Sequence, residues 1–85
     1  MVGKFQCPCC GYLTLPDEPP GSFTLCPVCY WEDDPVQWRD HSYKGGANKA
    51  SLEEAKRNFA ELGASERQFE DKVRAPRADE QIERR

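Results

Sequence analysis

The distribution of apolar and polar residues divides the chain into two unlike halves. Up to about residue 50 no helical period is visible, and this half contains every cysteine and most of the prolines and glycines. Two β-prone stretches, residues 12–15 and 22–25, flank a proline-rich connection, a pattern that predicts a short β-hairpin. The first half is therefore expected to consist of turns and short strands.

A helical period begins at Ser51. Apolar side chains recur at the spacing of one helix face, at Leu52, Ala55, Phe59 and Leu62. Ser51 and Glu54 form the sequence of a capping box, and Gly63 suits a left-handed C-terminal cap. The pattern predicts an amphipathic helix between these two signals.

The end of the chain is less regular. A weaker helical pattern from Ser65 to Val73 predicts a second, shorter helix, which Pro76 prevents from continuing. Residues 77–85 are mostly charged, which is typical of a flexible segment. We therefore expect a single domain over residues 1–75 and a charged, flexible tail over residues 76–85.

The composition indicates a thin hydrophobic core. The chain has 85 residues, of which 38% are hydrophobic and 32% charged, and domains this small usually need a disulfide, a metal ion or a partner. The first residues do not resemble a secretory signal, and no apolar run approaches the ~18 residues of a membrane span. We therefore expect a cytoplasmic protein without membrane association, in which thiols stay reduced and can bind a metal.

The cysteines supply a metal-site motif. They fit the spacing C-x2-C-x15-C-x2-C through Cys7, Cys10, Cys26 and Cys29. Two residues between paired cysteines allow a tight turn to present both sulfurs to one tetrahedral ion, and Pro8 and Pro27 favour that turn. The motif predicts one structural zinc ion; iron takes the same ligands and is the less favoured metal.

Two further residues are of the types that can bind a metal, Cys9 and His41. A single residue separates Cys7 from Cys9, which makes a poor turn, so Cys9 is expected outside the ligand set, either as a small buried side chain or as a reactive thiol. His41 is not expected to bind, because the four cysteines complete the site. Four protein ligands leave no position for water or substrate, so we expect no catalytic residues and no enzyme activity.

An aromatic and acidic segment follows the last cysteine, and it allows two interpretations. In the first, Trp31 packs over the metal site against Phe59 and Leu62 of the helix, and the acidic residues are solvated. In the second, the segment is an exposed surface that binds another protein. The candidate partner surface consists of Trp31, Glu32, Asp33, Asp34 and Trp38.

Several motifs together suggest a family. They are Cys7-Pro8-Cys9-Cys10-Gly11-Tyr12, Cys26-Pro27-Val28-Cys29-Tyr30-Trp31-Glu32-Asp33-Asp34, Gly45-Gly46-Ala47-Asn48 and Ser51-Leu52-Glu53-Glu54-Ala55. Over about residues 5–66 the chain resembles the cysteine-rich CPCC domain family. The resemblance implies a short, mostly bacterial, metal-binding protein with no established reaction, and it does not decide whether Cys9 or Cys10 completes the first pair.

These observations favour a non-enzymatic module that binds structural zinc and another protein. One alternative is a zinc ribbon that binds nucleic acid, but the net charge of −3 argues against extensive phosphate contacts. The other alternative is a thiol redox protein that uses Cys9. The expected fold is a small metal-stapled α+β domain, with a zinc-ribbon-like pair of CxxC turns, a short β-hairpin and one or two α-helices after them.

Overall fold

The computed structural model describes residues 4–81. Its strands are β1 (Phe5–Gln6) and β2 (Leu13–Leu15), and its helices are α1 (Pro35–Arg39) and α2 (Leu52–Leu62). Two single turns of 3₁₀ helix follow, at Arg67–Phe69 and Ala78–Glu80. This architecture confirms the predicted small α+β class.

Each CxxC turn lies between two stretches of chain that pair with each other. β1 and β2 are antiparallel across the first turn, with Phe5 opposite Leu15, and Leu25 forms an isolated bridge to Glu32 across the second turn. The structure therefore contains a hairpin, as predicted, but the predicted pair of strands was wrong, since residues 12–15 do not pair with residues 22–25. Each cysteine turn reverses the chain, so each β-prone stretch pairs with the segment on the other side of the nearest cysteine turn.

The two turns have the same backbone structure. In each, the amide four residues after the first cysteine donates to that cysteine's carbonyl, and the cysteine's own amide donates to the carbonyl five residues later. The lengths are 2.8 and 2.9 Å in the turn at Cys7 and 2.7 and 2.9 Å in the turn at Cys26. The residue four positions after the first cysteine is left-handed in both turns, Gly11 with a φ of 81° and Tyr30 with a φ of 71°. The chain thus contains one turn geometry twice.

Helix α2 forms as its sequence predicts. The Ser51 hydroxyl accepts from the Glu54 amide at 3.1 Å, and the Glu54 carboxylate accepts from the Ser51 amide at 3.2 Å. Gly63 ends the helix with a φ of 77°. Leu52 and Ala55 are buried, so the predicted apolar face of the helix points inward.

The hydrophobic core is built around the cysteines. Its buried members are Cys7, Cys9, Leu15, Cys26, Val28, Cys29, Trp31, Leu52 and Ala55. Phe59 packs against this cluster and meets the ring of Tyr12 edge to face at 6.3 Å, which joins α2 to the first cysteine turn. Four of these nine residues are cysteines, so sulfur atoms make up a large part of a core that has few aliphatic side chains.

Helix α1 has no counterpart in the sequence predictions. Asp34 is its N-cap and accepts hydrogen bonds from the amides of Val36 (2.8 Å) and Gln37 (3.4 Å), while Pro35 supplies the first helical residue. The buried amide of Gln37 then donates to three carbonyls of the following loop, those of Tyr43, Asn48 and Ala50. These contacts hold a helix that is too short to show a period.

The C-terminal part differs from its predictions. The expected second helix is reduced to the 3₁₀ turn Arg67–Phe69. Within the expected flexible tail, the turn Ala78–Glu80 contacts β2, and Glu80 is 1% exposed. The residues after Gln81 lie outside the described part, and the domain boundary at residue 75 stays a prediction. Across residues 4–81, no helix combines the length and apolar character needed to cross a membrane.

Candidate metal centre

The two cysteine turns bring four sulfurs together. The Sγ atoms of Cys7, Cys10, Cys26 and Cys29 all lie within 4.8 Å of one another. Cys7 is 3.6 Å from Cys29, and Cys10 is 3.7 Å from Cys26, so each turn contributes one sulfur to each close pair. All five cysteines are free thiols. The four residues that the spacing selects are therefore positioned to hold a metal ion.

The spacing of these sulfurs suits a tetrahedral ion. Zinc–sulfur bonds of about 2.3 Å place the corners of a regular tetrahedron about 3.8 Å apart. The two shortest separations, 3.6 and 3.7 Å, agree with that edge. Four thiolates are soft ligands that suit zinc or iron rather than magnesium or calcium. The donor set and its dimensions thus fit one tetrathiolate-bound metal.

The sulfurs influence each other's protonation. The hydrogen bond between Cys10 and Cys26 lowers the pKa of Cys26 and raises the pKa of Cys10. The pKa of Cys29 is raised, chiefly by its interaction with Cys10. Without a metal the cluster therefore keeps protons on some of its sulfurs, and a metal ion must displace them to gain four thiolate ligands.

Comparison with protein family models gives a match over most of the chain. The family model described as Cysteine-rich CPCC matches residues 5–80. The chain belongs to the cysteine-rich CPCC family. The resemblance inferred over about residues 5–66 is thus confirmed, and the match extends further, over the segment that contains both 3₁₀ turns. A comparison with curated proteins gives no match.

Within the CPCC motif, Cys9 is not one of the four clustered cysteines. Cys9 is 8% exposed and belongs to the buried core. His41 lies on the exposed loop after α1, and it is not part of the group either. The first and last cysteines of the CPCC motif therefore belong to the four-sulfur cluster.

The candidate partner surface of this CPCC protein does not form one exposed patch. Trp31 is 1% exposed, and Asp33 and Asp34 are also buried. The Asp33 carboxylate accepts from the amide and hydroxyl of Ser22 at 2.9 and 2.8 Å, and Asp34 caps α1. Glu32 is half-buried, and Trp38 is 43% exposed. Three of these five residues are thus inside the fold: Trp31 packs in the hydrophobic core, and the carboxylates of Asp33 and Asp34 accept hydrogen bonds from neighbouring groups.

Asn48 ties down the chain just after the second cysteine turn. Its side-chain carbonyl accepts from the Glu32 amide at 2.9 Å, and its side-chain amide donates to the Glu32 carbonyl at 2.8 Å and to Gln37 Oε1 at 3.0 Å. Asn48 lies in the Gly45–Asn48 motif, but no sequence feature indicates a role for Gln37. The chain leaving Cys29 is thereby tied to the loop before α2.

Thr14 is the residue of the metal centre that the sequence predictions missed. It is 4% exposed, and its Oγ1 lies 3.0 Å from the Sγ of Cys26. A thiolate has no hydrogen to give, so the Thr14 hydroxyl is the donor when Cys26 is ionised. Its position next to Leu15 in a β-prone stretch gave no sign of this contact, which depends on the pairing of β1 with β2.

Proposed function

We propose that this CPCC protein is a non-enzymatic module that is folded around one structural zinc ion and that binds another protein. The observation that carries the proposal is the cluster of four cysteine sulfurs, with close separations of 3.6 and 3.7 Å. Zinc is favoured over iron by the ligand spacing C-x2-C-x15-C-x2-C. Zinc would supply a fixed junction between the two turns and no redox chemistry.

Several features support a structural rather than a catalytic role. The four protein sulfurs complete a tetrahedral shell, so no position is left for a reacting water or substrate. Three of the four cysteine residues are at most 1% exposed. Five free thiols are consistent with a reducing compartment such as the cytoplasm.

We place the proposed partner surface on exposed residues of α1 and of the loop that follows it. Val36, Trp38 and Tyr43 are each between 43% and 46% exposed. Trp38 also borders an open groove of about 470 Å³, together with Phe5, Pro8, Pro19 and Glu18 among others. Exposed aromatic residues are enriched among the side chains that dominate protein interfaces. The buried Asp34 and Gln37 fix α1 and so support this surface from below.

The metal part is tested by elemental analysis of the purified chain and of its single cysteine-to-serine variants. We expect about one zinc per chain, lost together with the fold in Cys7→Ser, Cys10→Ser, Cys26→Ser and Cys29→Ser. Cys9→Ser is the matched control, and it should keep its zinc. Iron in place of zinc, or a folded chain without metal, would contradict the proposal.

The partner part is tested by affinity capture with the zinc-loaded chain and with Trp38→Ala. A specific partner should be retained by the wild-type chain, lost with Trp38→Ala, and kept by Lys56→Ala, which changes an exposed residue of α2. Both variants should contain the same amount of zinc as the wild type. Capture that is indifferent to Trp38→Ala would remove this surface from the proposal.

A further inference from the structure

The four cysteines of the metal centre are not equally protected. Cys7, Cys26 and Cys29 are each at most 1% exposed, whereas Cys10 is only partly buried. Gly11, which follows Cys10, and Pro8 both border the open groove of about 470 Å³. Cys7 borders the same groove, but it is 1% exposed. Cys10 does not itself line the groove, but as the one partly buried residue of the four it is the cysteine that a small reagent reaches most readily.

The sulfur of Cys26 is protected by a hydrogen bond as well as by burial. The Thr14 hydroxyl lies 3.0 Å from its sulfur, and Thr14 itself is 4% exposed. Of the hydrogen bonds found over residues 4–81, this is the one that joins a hydroxyl to a cluster sulfur. A hydrogen bond to a thiolate stabilises its negative charge, which makes its electron pair less available to an attacking electrophile.

We propose that Cys10 is the modification site of the metal centre, the thiolate that reacts first with small soft electrophiles, and that Thr14 is a positioning residue that shields Cys26. The inference rests on the metal-binding part of the proposed function. It concerns the order in which the sulfurs react, which four-cysteine coordination does not by itself determine.

The reaction with a maleimide illustrates the chemistry. The Cys10 sulfur adds to one carbon of the maleimide double bond, a carbon–sulfur bond forms, and the π bond breaks. The neighbouring carbon takes a proton from water, so the product is a neutral thioether and no oxidant is needed. A thioether is a much weaker zinc ligand than a thiolate, and the modification is therefore expected to release the metal.

The test uses the full chain loaded with one zinc per molecule and a limiting amount of N-ethylmaleimide. Tandem mass spectrometry locates the adducts over time, and a chromogenic chelator follows zinc release. Among the four cluster cysteines, Cys10 should be modified several-fold faster than the others, and zinc should appear in step with the Cys10 adduct. Adducts at Cys9 are read separately in the same spectra, with Cys9→Ser as the control.

Thr14→Val and Thr14→Ser test the second half of the proposal. Thr14→Val keeps the side-chain shape but removes the hydroxyl, so the modification rate at Cys26 should rise about fivefold, the equivalent of one ordinary hydrogen bond. The rate at Cys10 should change little. Thr14→Ser keeps the hydroxyl and should retain the wild-type rate at Cys26, a result that a packing role for the methyl group would not give.

The outcomes distinguish this inference from the proposed function. A wild-type chain that takes up no metal would overturn both. A zinc-loaded chain whose four sulfurs react evenly, or that reacts first at Cys7, Cys26 or Cys29, would overturn the Cys10 assignment alone. An unchanged Cys26 rate in zinc-loaded Thr14→Val would overturn the shielding role of Thr14. The wild-type reaction order needs no variant, so it decides the main point even if Thr14→Val folds poorly.

Discussion

Gly46 lies where the loop after α1 passes close to two buried polar side chains. A Cβ atom at this position would be 2.5 Å from Asp34 Oδ2 and 3.0 Å from Gln37 Cδ. Neither neighbour is free to move, because Asp34 Oδ2 accepts from the Ala47 amide at 2.8 Å, and Gln37 is held by three loop carbonyls. The absence of a side chain at Gly46 is therefore a packing requirement.

The prediction at this residue is that Gly46→Ala destabilises the protein by roughly 2 kcal/mol, the range of overpacking substitutions in a tight interior. Gly45→Ala is the matched control. A Cβ atom at Gly45 meets nothing within 4 Å, and its φ of +82° should cost about 1 kcal/mol through backbone strain alone. Urea unfolding of both variants in excess zinc gives the two values, and equal losses would show that the close approach has no energetic effect.

The four clustered cysteines were predictable at the residue scale, while their surroundings were not. The spacing of Cys7, Cys10, Cys26 and Cys29 encodes the tight turns directly, so two short stretches of sequence are enough to select them. Thr14 reaches Cys26 only through the folded chain, across 12 residues. Asp33 is a similar case. Its charge alone predicts a solvated side chain, whereas in the folded chain it is buried and bonded to Ser22.

At the scale of elements, local signals were reliable and pairings were not. Helix α2 was predicted with its capping box and its C-cap, because the apolar period and both end signals lie within the helix or next to it. The predicted strand pairing was wrong because the pairing depends on which turn joins the two strands, and the strand residues themselves do not indicate this. Helix α1 has five residues, and its stability comes from Asp34 and from tertiary contacts of Gln37, which a periodicity cannot reveal.

The turn Ala78–Glu80 shows how composition can mislead about order. Its residues are mostly charged, yet the Glu80 carboxylate accepts from the two terminal guanidinium nitrogens of Arg74, at 2.9 and 2.8 Å, and from the Arg77 amide at 2.8 Å. The ion pair with Arg74 is the main reason that the pKa of Glu80 falls from 4.5 to about 2. A buried, fully bonded carboxylate anchors this segment.

A pH dependence follows for this element. Because the pKa of Glu80 is lower in the folded chain, its contribution to stability is complete above about pH 4.5 and is lost as the pH falls towards about 2. We expect Glu80→Gln to lower the free energy of unfolding by roughly 2 kcal/mol at pH 7, the scale of hydrogen bonds to a charged group. The deficit relative to wild type should shrink below pH 4.5.

Urea unfolding of wild type and variant at matched pH and zinc checks this, since acid release of the metal affects both chains alike. Glu61→Gln, at an exposed position of α2, is the control and should cost little at any pH. A Glu80→Gln deficit that is the same at pH 7 and below pH 4.5, or absent at both, would show that the ionised carboxylate does not anchor the segment.

At the scale of the whole molecule, several segments attach to the backbone of the second cysteine turn. The Ser65 amide donates to the Cys29 carbonyl at 2.7 Å, and the Arg74 amide donates to the Pro27 carbonyl at 3.2 Å. The side chain of Asn48 binds the backbone of Glu32, just after this turn. A turn that loses its shape would therefore release the end of α2, the C-terminal segment and the loop after α1 together.

The last prediction follows from this coupling. If metal binding and folding are one equilibrium, the free energy of unfolding should rise by about 1.4 kcal/mol for each tenfold increase in free zinc above the dissociation constant. Urea unfolding in a series of zinc buffers measures this slope. Cys9→Ser should show the wild-type slope, and Cys10→Ser should lose it over the same range, because only Cys10 belongs to the four-sulfur cluster. A doubled slope would require a second ion. If the chain is stable, unfolds cooperatively and does not respond to zinc, the thin core around the cysteines holds the fold without a metal.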